Sequence, residues 1–286
     1  MGPALRDYGK VFDQVADAYD AVRSGYPDRL VDLAVERGGL TPGSRVVEIG
    51  SGTGKLTASL VARGLVVDAV EPGANMTAAA RRRIGDAADV TFHLARFEDV
   101  ELPEKAFSAV FSATAFHWVD PGVGWAKAAA LLEPGGLLAF LVYASVRTPE
   151  SAAFEDELLA VLARHAPDAA DDRHPSRELE AILGGVAERR DNVSAVWDWL
   201  MSSGRHGLAV PAAAELFDDV QVESDLRVAE DTTDELIALF KTTSLWFRVP
   251  AERRGALEAD DRALIERHGG VIRTPVATFL MTARRR

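Results

Sequence analysis

The chain has 286 residues, 44 acidic against 32 basic side chains for a formal charge of −12, and no cysteine. Without thiols there is no disulfide framework, thiolate zinc site, cysteine nucleophile or iron–sulfur cluster, so any catalysis rests on oxygen, nitrogen or a bound cofactor. A phosphate backbone would meet net repulsion, and the basic runs Arg81–Arg83 and Arg284–Arg286 are short, so no nucleic acid partner is expected.

Val11–Val22 and Asp28–Arg37 carry apolar residues at helical spacing and are separated at Tyr26-Pro27, where the residue before proline avoids helix. They predict an N-terminal helical arm over residues 1–40. From Arg45 onward, short β-branched runs alternate with helical patterns, as in a parallel sheet with crossover helices. The expected order is strand Arg45–Ile49, helix Lys55–Arg63, strand Leu65–Val70, helix Asn75–Ile84, strands Val90–Leu94 and Phe107–Ser112, helix Val123–Leu132 and strand Gly136–Tyr143. Two-residue alternation is weak in these strands, as expected where both faces are covered. The fold class is α/β, a Rossmann-like doubly wound sheet. Pro149 to Pro211 is mainly helical and rich in Ala, Glu, Asp and Arg, and it predicts a helical cap inserted over residues 147–211. Strands Val220–Val228 and Pro275–Ala283 flank helical stretches at Thr233–Thr243 and Pro250–His268, so the core comprises residues 41–146 and 212–286. The longest apolar stretch, Leu137–Ala144, is far short of the ~20 residues of a membrane span, and the first ten residues lack the apolar centre of a secretory signal. No membrane partner and a cytoplasmic location are expected; the sequence is silent on oligomeric state.

At the end of the first strand, Glu48-Ile49-Gly50-Ser51-Gly52-Thr53-Gly54 sets three alternate glycines where a helix must begin. Glycine permits the backbone angles of such a turn and lets main-chain amides approach a ligand closely. A P-loop would need Gly at position 49 and Ser or Thr at 56, where Ile49 and Leu56 stand; a dinucleotide fingerprint would need its third Gly at position 55, which is Lys55. Glu71, at the end of the second strand, follows Gly50 by about 20 residues, the spacing at which a carboxylate accepts hydrogen bonds from ribose hydroxyls.

These features resemble the class I S-adenosylmethionine-dependent methyltransferases. EIGSGTG is similar to that family's first motif, Glu71-Pro72 to its second, Phe107–Ser112 to its fourth strand, and Leu131-Leu132-Glu133-Pro134-Gly135-Gly136 to the turn into its fifth. Phe12 to Asp20, Tyr26-Pro27 and Phe116-His117-Trp118-Val119-Asp120 resemble the subgroup that includes trans-aconitate methyltransferase and small-molecule enzymes of secondary metabolism. The resemblance implies a mostly parallel seven-stranded sheet with an antiparallel last strand. It also implies S-adenosyl-L-methionine as cofactor and S-adenosyl-L-homocysteine as product. Glu48, Gly50, Ser51, Gly52, Thr53 and Gly54 would hold the methionine end, Glu71 and Pro72 the ribose, and Met76, Phe97, Glu98 and Ala113 the adenine side and the floor of the site. The family often has Asp where Glu98 stands.

His117 follows the fourth strand at its carboxyl end, where an open α/β sheet places its ligand crevice, and is either a general base or a structural group beside Trp118. Tyr19 and Tyr26 lie in the arm, as candidates to cover the sulfonium, line the acceptor pocket or orient His117. Arg23 is either a partner for the cofactor carboxylate or a surface ion pair. Trp197 and Trp199 are two residues apart and point in different directions on a helix, so one of them is free to face a pocket; Trp118, Trp197 and Trp246 are the candidate pocket residues. His165, His174, His206 and His268 show no ligand spacing, so no metal is assigned. The expected activity is methyl transfer to a small molecule, with a flat aromatic or heteroaromatic acceptor (indole-like carbon or nitrogen, or phenolic oxygen) favoured by the tryptophans and the negative charge. A carboxylate O-methyltransferase, a non-catalytic cofactor- or metabolite-binding module and a nicotinamide oxidoreductase are the alternatives.

Overall fold

The computed structural model describes residues 11–85, 89–171, 175–201 and 207–286. A 3-10 turn over residues 11–15 leads into α1 (Ala16–Val22), and an extended linker then leads to α2 (Asp28–Gly38). The sheet begins with β1 (Arg45–Ile49), and α3 (Lys55–Val61), β2 (Val66–Glu71), α4 (Ala74–Ile84), β3 (Val90–Leu94) and β4 (Phe107–Ala113) follow. A 3-10 turn at Phe116–Trp118 precedes α5 (Pro121–Leu131) and β5 (Leu132–Ser145). Among the described residues seven strands form one sheet in the order β3-β2-β1-β4-β5-β7-β6, where β6 is Phe217–Thr232 and β7 is Val271–Arg285. Strands β1 to β5 pair in parallel, and β7 runs antiparallel to both β5 and β6.

Strand order reverses between β1 and β4, and this switch point opens a crevice at the carboxyl ends of β2, β1 and β4. One face of the sheet is covered by α2 and α3, whose Leu30, Val31, Ala34, Leu56 and Leu60 pack on Val46, Val67, Ala109, Phe111 and Leu141. The other face is covered by α5 with α8 (Leu179–Ala187) and α9 (Val193–Met201), which bury Trp125, Ile182, Val186, Val196 and Trp197 against Phe140, Phe217 and Phe279. Fully burying side chains of this size stabilises the fold by roughly 1.5–3 kcal/mol each. A short helix α10 (Ala213–Leu216) leads into β6.

Strand lengths explain where the remaining helices go. β6 and β7 continue as a pair well past the last β5 contact at Ser145–Val276, out to Thr232–Val271. From this overhang spring α11 (Thr233–Lys241), α12 (Ser244–Arg248) and α13 (Ala251–Arg267). From the carboxyl end of β5 spring α6 (Pro149–His165) and α7 (Pro167–Asp171). The two insertions share a core of Val161, Leu162, Ala166, Ala169, Val249, Leu257 and Leu264, with Trp246 and Phe240 packed against it. Both α6 and α11 start with capping boxes, Thr148–Ser151 and Thr232–Glu235, which satisfy the first free N–H groups.

This arrangement corrects the expectation of a cap over 147–211 followed by plain core. Within that stretch α8 and α9 belong to the layer on the sheet, because α9 meets β5, β6 and β7 and α8 packs on α9 with Ile182 and Val186 in the same apolar core. The outer helical module is instead assembled from α6 and α7 together with α11–α13, which lie in the segment expected to be core. Among the described residues no helix is long and apolar enough to cross a membrane, and no acidic or histidine cluster suits a metal ion. His174 and His206 lie outside the described residues.

Candidate active site

β1 ends in Ile49, and the chain then turns through Gly50, Gly52 and Gly54 with φ of +70°, +54° and +78°, all in the left-handed region that glycine alone enters freely. The three differ in what surrounds them. A β-carbon at Gly50 would lie 2.3 Å from the Ala115 Cβ, and one at Gly54 would lie 2.9 Å from the Ala80 Cβ, so these two glycines let the turn nest against neighbouring protein. A β-carbon at Gly52 would meet nothing within 4 Å, so that position faces open space. The Ser51 hydroxyl is buried and finds no partner among the described residues.

Beside this turn Glu71 closes β2. Its Oε2 accepts the Gly52 N–H at 3.0 Å and its Oε1 accepts the Gly73 N–H at 2.8 Å. A carboxylate offers about four lone-pair positions, so each oxygen retains one for a further donor. Burial pushes the Glu71 carboxyl above its usual range, the two N–H groups pull against that, and Asp13 adds to the rise. An open glycine cradle, a spare buried hydroxyl and a two-oxygen acceptor fit the amino-acid end and the vicinal ribose hydroxyls of an adenosyl cofactor.

Glu48 lies beneath the turn and is 1% exposed; its Oε2 accepts the Thr57 hydroxyl at 2.6 Å, and burial raises its carboxyl to about 8. At neutral pH it is largely a neutral acid that braces α3 to β1. Pro72 connects Glu71 to Gly73 at the start of α4.

The arm is fixed over this edge by charge. Asp13 accepts the N–H groups of Asn75 at 2.7 Å and Met76 at 3.1 Å, capping α4 from a distant part of the chain, where the helix dipole also favours an anion. Lys55 donates to the Asp20 carbonyl at 2.9 Å, and Arg83 and Arg82 pair with Asp20 and Asp17, each at 2.7 Å. Tyr19 is set edge-on to Phe12 at 5.8 Å with the Arg23 guanidinium 5.3 Å from its ring, and burial raises its phenol. Sequence reasoning assigned no role to Asp13 and used Lys55 only to exclude a dinucleotide. Their partners are far off in sequence, so no local pattern marks them.

At the end of β4, Ala113 is followed by Thr114, which has φ +53°. A β-branched residue there is a backbone outlier, costing about 1–3 kcal/mol. The Thr114 hydroxyl lies 3.2 Å from the Tyr26 phenol, whose ring stacks on Tyr143 with centroids 4.9 Å apart and planes 9° apart. His117 is buried in the following turn, its ring 4.6 Å from that of Trp118, which meets Phe12 edge-on at 5.7 Å. Tyr19, Tyr26, Trp118 and His117 therefore belong to the elements that meet at the carboxyl edge, and Thr114 and Tyr143 join them without having been foreseen.

Other expected site residues are placed differently. Phe97 is 3% exposed and packed into the central core with Lys127 facing its ring, so it is no open adenine shelf. Glu98 pairs with Arg96 at 2.7 Å and accepts the Asp120 N–H at 3.0 Å; burial would raise its carboxyl, but these donors hold it below the usual range. Both contacts fall on Oε1, one from its own loop and one from the segment before α5. Met76 is buried in the first turn of α4. Trp197 is 1% exposed and packs edge-on to Phe140 at 5.2 Å, so it is a core residue and not a pocket wall. Trp199, the indole on the other side of that helix, lies between Arg177 and Arg189 and donates its Nε1–H to the Ile182 carbonyl at 2.8 Å. Trp246 packs edge-on to Phe240 at 5.5 Å in the core of the outer module. Of the three expected pocket indoles, Trp118 alone sits in the turn after β4.

A family model described as a methyltransferase domain matches residues 47–140. An uncharacterized methyltransferase of Mycobacterium tuberculosis H37Rv is 35% identical over 138 residues, 48% of this chain and 54% of the relative. An uncharacterized methyltransferase of Geobacillus thermodenitrificans is 30% identical over 180 residues, 58% of this chain and 80% of the relative. The chain thus spans about half the length of the mycobacterial relative and most of the Geobacillus one. Among solved structures, a type II methyltransferase candidate from Anaeromyxobacter dehalogenans superposes with a TM-score of 0.57 at 21% identity, over 92% of this chain and 97% of that one. A SAM-dependent methyltransferase from Geobacter sulfurreducens, solved with S-adenosylhomocysteine, gives 0.50 at 16% identity, over 94% and 96%. These structures share the fold. With the sequence similarity of the relatives, the chain belongs to the methyltransferase-domain family.

Proposed function

We propose that the protein is an S-adenosylmethionine-dependent methyltransferase acting on a small-molecule acceptor. The observation that carries this reading is the pairing of the turn left open at Gly52 with the Glu71 carboxylate, whose two oxygens each keep a free lone pair. Gly50, Ser51, Gly52, Thr53 and Gly54 would hold the methionine end and Glu71 the ribose hydroxyls. When bound, the cofactor supplies a methyl group on a positively charged sulfur. The protein's part is alignment of an acceptor atom in line with that group, with water kept out. Asp13, Asp17 and Asp20 hold the arm over the edge and Tyr19 and Tyr26 line its underside, so the arm is the water-excluding wall. His117, one turn after β4, would take a proton from a phenolic, nitrogen or carbon acceptor.

The aromatic residues gathered at this edge, Phe12, Tyr19, Tyr26, Trp118 and Tyr143, support a flat aromatic or heteroaromatic acceptor. A carboxylate acceptor is the second reading. It is favoured by Arg23, which donates to the Thr242 hydroxyl at 3.2 Å and carbonyl at 3.3 Å and has no carboxylate partner among the described residues. Replacing His117 by Ala distinguishes them, because forming a carboxylate ester needs no base and should retain most of its rate.

Calorimetric titration with S-adenosylhomocysteine tests the main reading, and no binding to folded protein overturns it. Glu71→Ala should weaken binding by about 10- to 100-fold, the worth of hydrogen bonds to a charged group. Gly52→Ala meets no protein atom but is strained at φ +54°, so it should cost about 1–2 kcal/mol of stability, leave the protein folded and abolish measurable binding.

A further inference from the structure

The end of β4 holds a feature that cofactor binding alone does not require. Thr114 adopts φ +53° while its N–H still donates to the Leu141 carbonyl at 2.8 Å, so strand pairing with β5 continues through a residue that resists this conformation. Gly or Asn would adopt it at lower cost. The Thr side chain brings a hydroxyl 3.2 Å from the phenol of Tyr26, in the linker that joins α1 to α2. Tyr26 is held from behind by the stacked Tyr143 ring. The Tyr143 hydroxyl in turn donates to the carbonyls of Ser24 and Gly25, and Arg227 donates to the Ser24 hydroxyl at 2.9 Å. The whole linker Ser24–Tyr26 is therefore fastened to the ends of β4, β5 and β6. Burial pushes the phenols of both Tyr26 and Tyr143 up, so each keeps its proton across the working pH range.

We propose that Thr114 is a positioning residue: its hydroxyl, with Tyr143 as backing, latches the Tyr26 linker to the carboxyl end of β4 and so closes the N-terminal arm over the donor site. The inference rests on the proposed cofactor reading, because it assigns the arm that site to close. Two anchors then hold the arm: the Asp13, Asp17 and Asp20 contacts fasten its first half to α3 and α4, and the Thr114–Tyr26 bond fastens its second half to β4. Thr114 and Tyr26 share one hydrogen bond between two hydroxyls, so loss of either hydroxyl removes the same contact.

The test is binding of S-adenosylhomocysteine to the full chain and to Thr114→Gly, Tyr26→Phe and the double variant, by calorimetry and stopped-flow fluorescence. Thr114→Gly relieves the backbone but loses the hydroxyl contact and loosens the unfolded chain, so these effects offset and Tm should shift by less than about 2 °C. The same variant should release the ligand about 3- to 10-fold faster, the worth of one hydrogen bond. Tyr26→Phe should match that release rate, and the double variant should add nothing further. Faster release at a nearly unchanged Tm is not the signature of a merely structural Thr114, whose loss would lower stability and leave release alone. Unchanged release in Thr114→Gly, or effects that add in the double variant, overturns the latch. If the unmodified protein fails to bind S-adenosylhomocysteine, the cofactor reading itself falls, an outcome distinct from normal binding with variants that release at the unmodified rate.

Discussion

The donor side and the outer helical module are built by opposite means. The Gly50–Gly54 turn is made by backbone: three positive φ angles, a carboxylate accepting two N–H groups, and a strand order that reverses beside it. The outer module is made by side chains. Its apolar centre of Val161, Leu162, Leu257 and Leu264 is small, and its two long helices are tied by His165 and Arg164 to Asp260 and by His268 and Arg267 to Glu157. Backbone devices fix one geometry and suit a ligand that never changes. Exposed ion pairs around a small core contribute little rigidity and can be exchanged freely.

The largest test of this contrast uses two tryptophans. Trp197 lies in the sheet layer and Trp246 in the outer module. Trp197→Ala should cost about 3–5 kcal/mol in urea denaturation, the range for emptying a large core site. Trp246→Ala, whose ring is half-buried, should cost about 1–2 kcal/mol. Trp197→Phe sharpens the comparison. The Trp197 Nε1–H is buried with no partner among the described residues, so removing that group along with one ring should cost far less than removing the side chain. Equal losses at Trp197→Ala and Trp246→Ala would erase the distinction between the regions.

The same contrast accounts for what the sequence revealed. β1 and β3 lie where their β-branched runs predict, and the glycine turn and Glu71 stand out because their spacing is local. The doubly wound parallel sheet was legible because alternating strand and helix patterns admit few arrangements, whereas its seven strands and antiparallel last strand followed from the family resemblance. The destination of the helices was not. α6 and α9 both read as helical, but periodicity reports that a face is buried and not what buries it. Thus α9 was expected in the cap and lies on the sheet, whereas α13 was expected in the core and packs on α6. Thr114 and Tyr143 escaped notice because their meaning depends on Tyr26, about ninety and one hundred and twenty residues away.

A second test concerns pH. Burial raises the Glu48 carboxyl from its ordinary value of 4.5 to about 8 in the folded protein. Between these values the folded state binds the extra proton, so stability falls as pH rises and the loss levels off above about 8. The total is on the order of a few kcal/mol. Glu71, also raised by burial, acts in the same direction. Glu48→Gln keeps an acceptor for Thr57 and cannot ionise. Its unfolding free energy should therefore lack most of the decline seen between pH 5 and 8 in the unmodified protein. A parallel pair of curves would assign that pH dependence elsewhere.

The smallest effect is expected where ion pairs are most numerous. Glu157 accepts from His268 at 3.1 Å and pairs with Arg267 at 3.4 Å across the α6–α13 seam, and these donors hold its carboxyl below the usual range. All three groups are solvent-accessible, so water and salt offset most of their attraction. Glu157→Gln should leave Tm nearly unchanged, and raising the salt concentration should narrow even that difference. A large drop would mean that the seam, and not the apolar centre around Leu257 and Leu264, holds the two insertions together. The module would then be an electrostatic assembly whose attachment to the overhanging β6–β7 pair loosens with salt, while the backbone-built donor side would not respond.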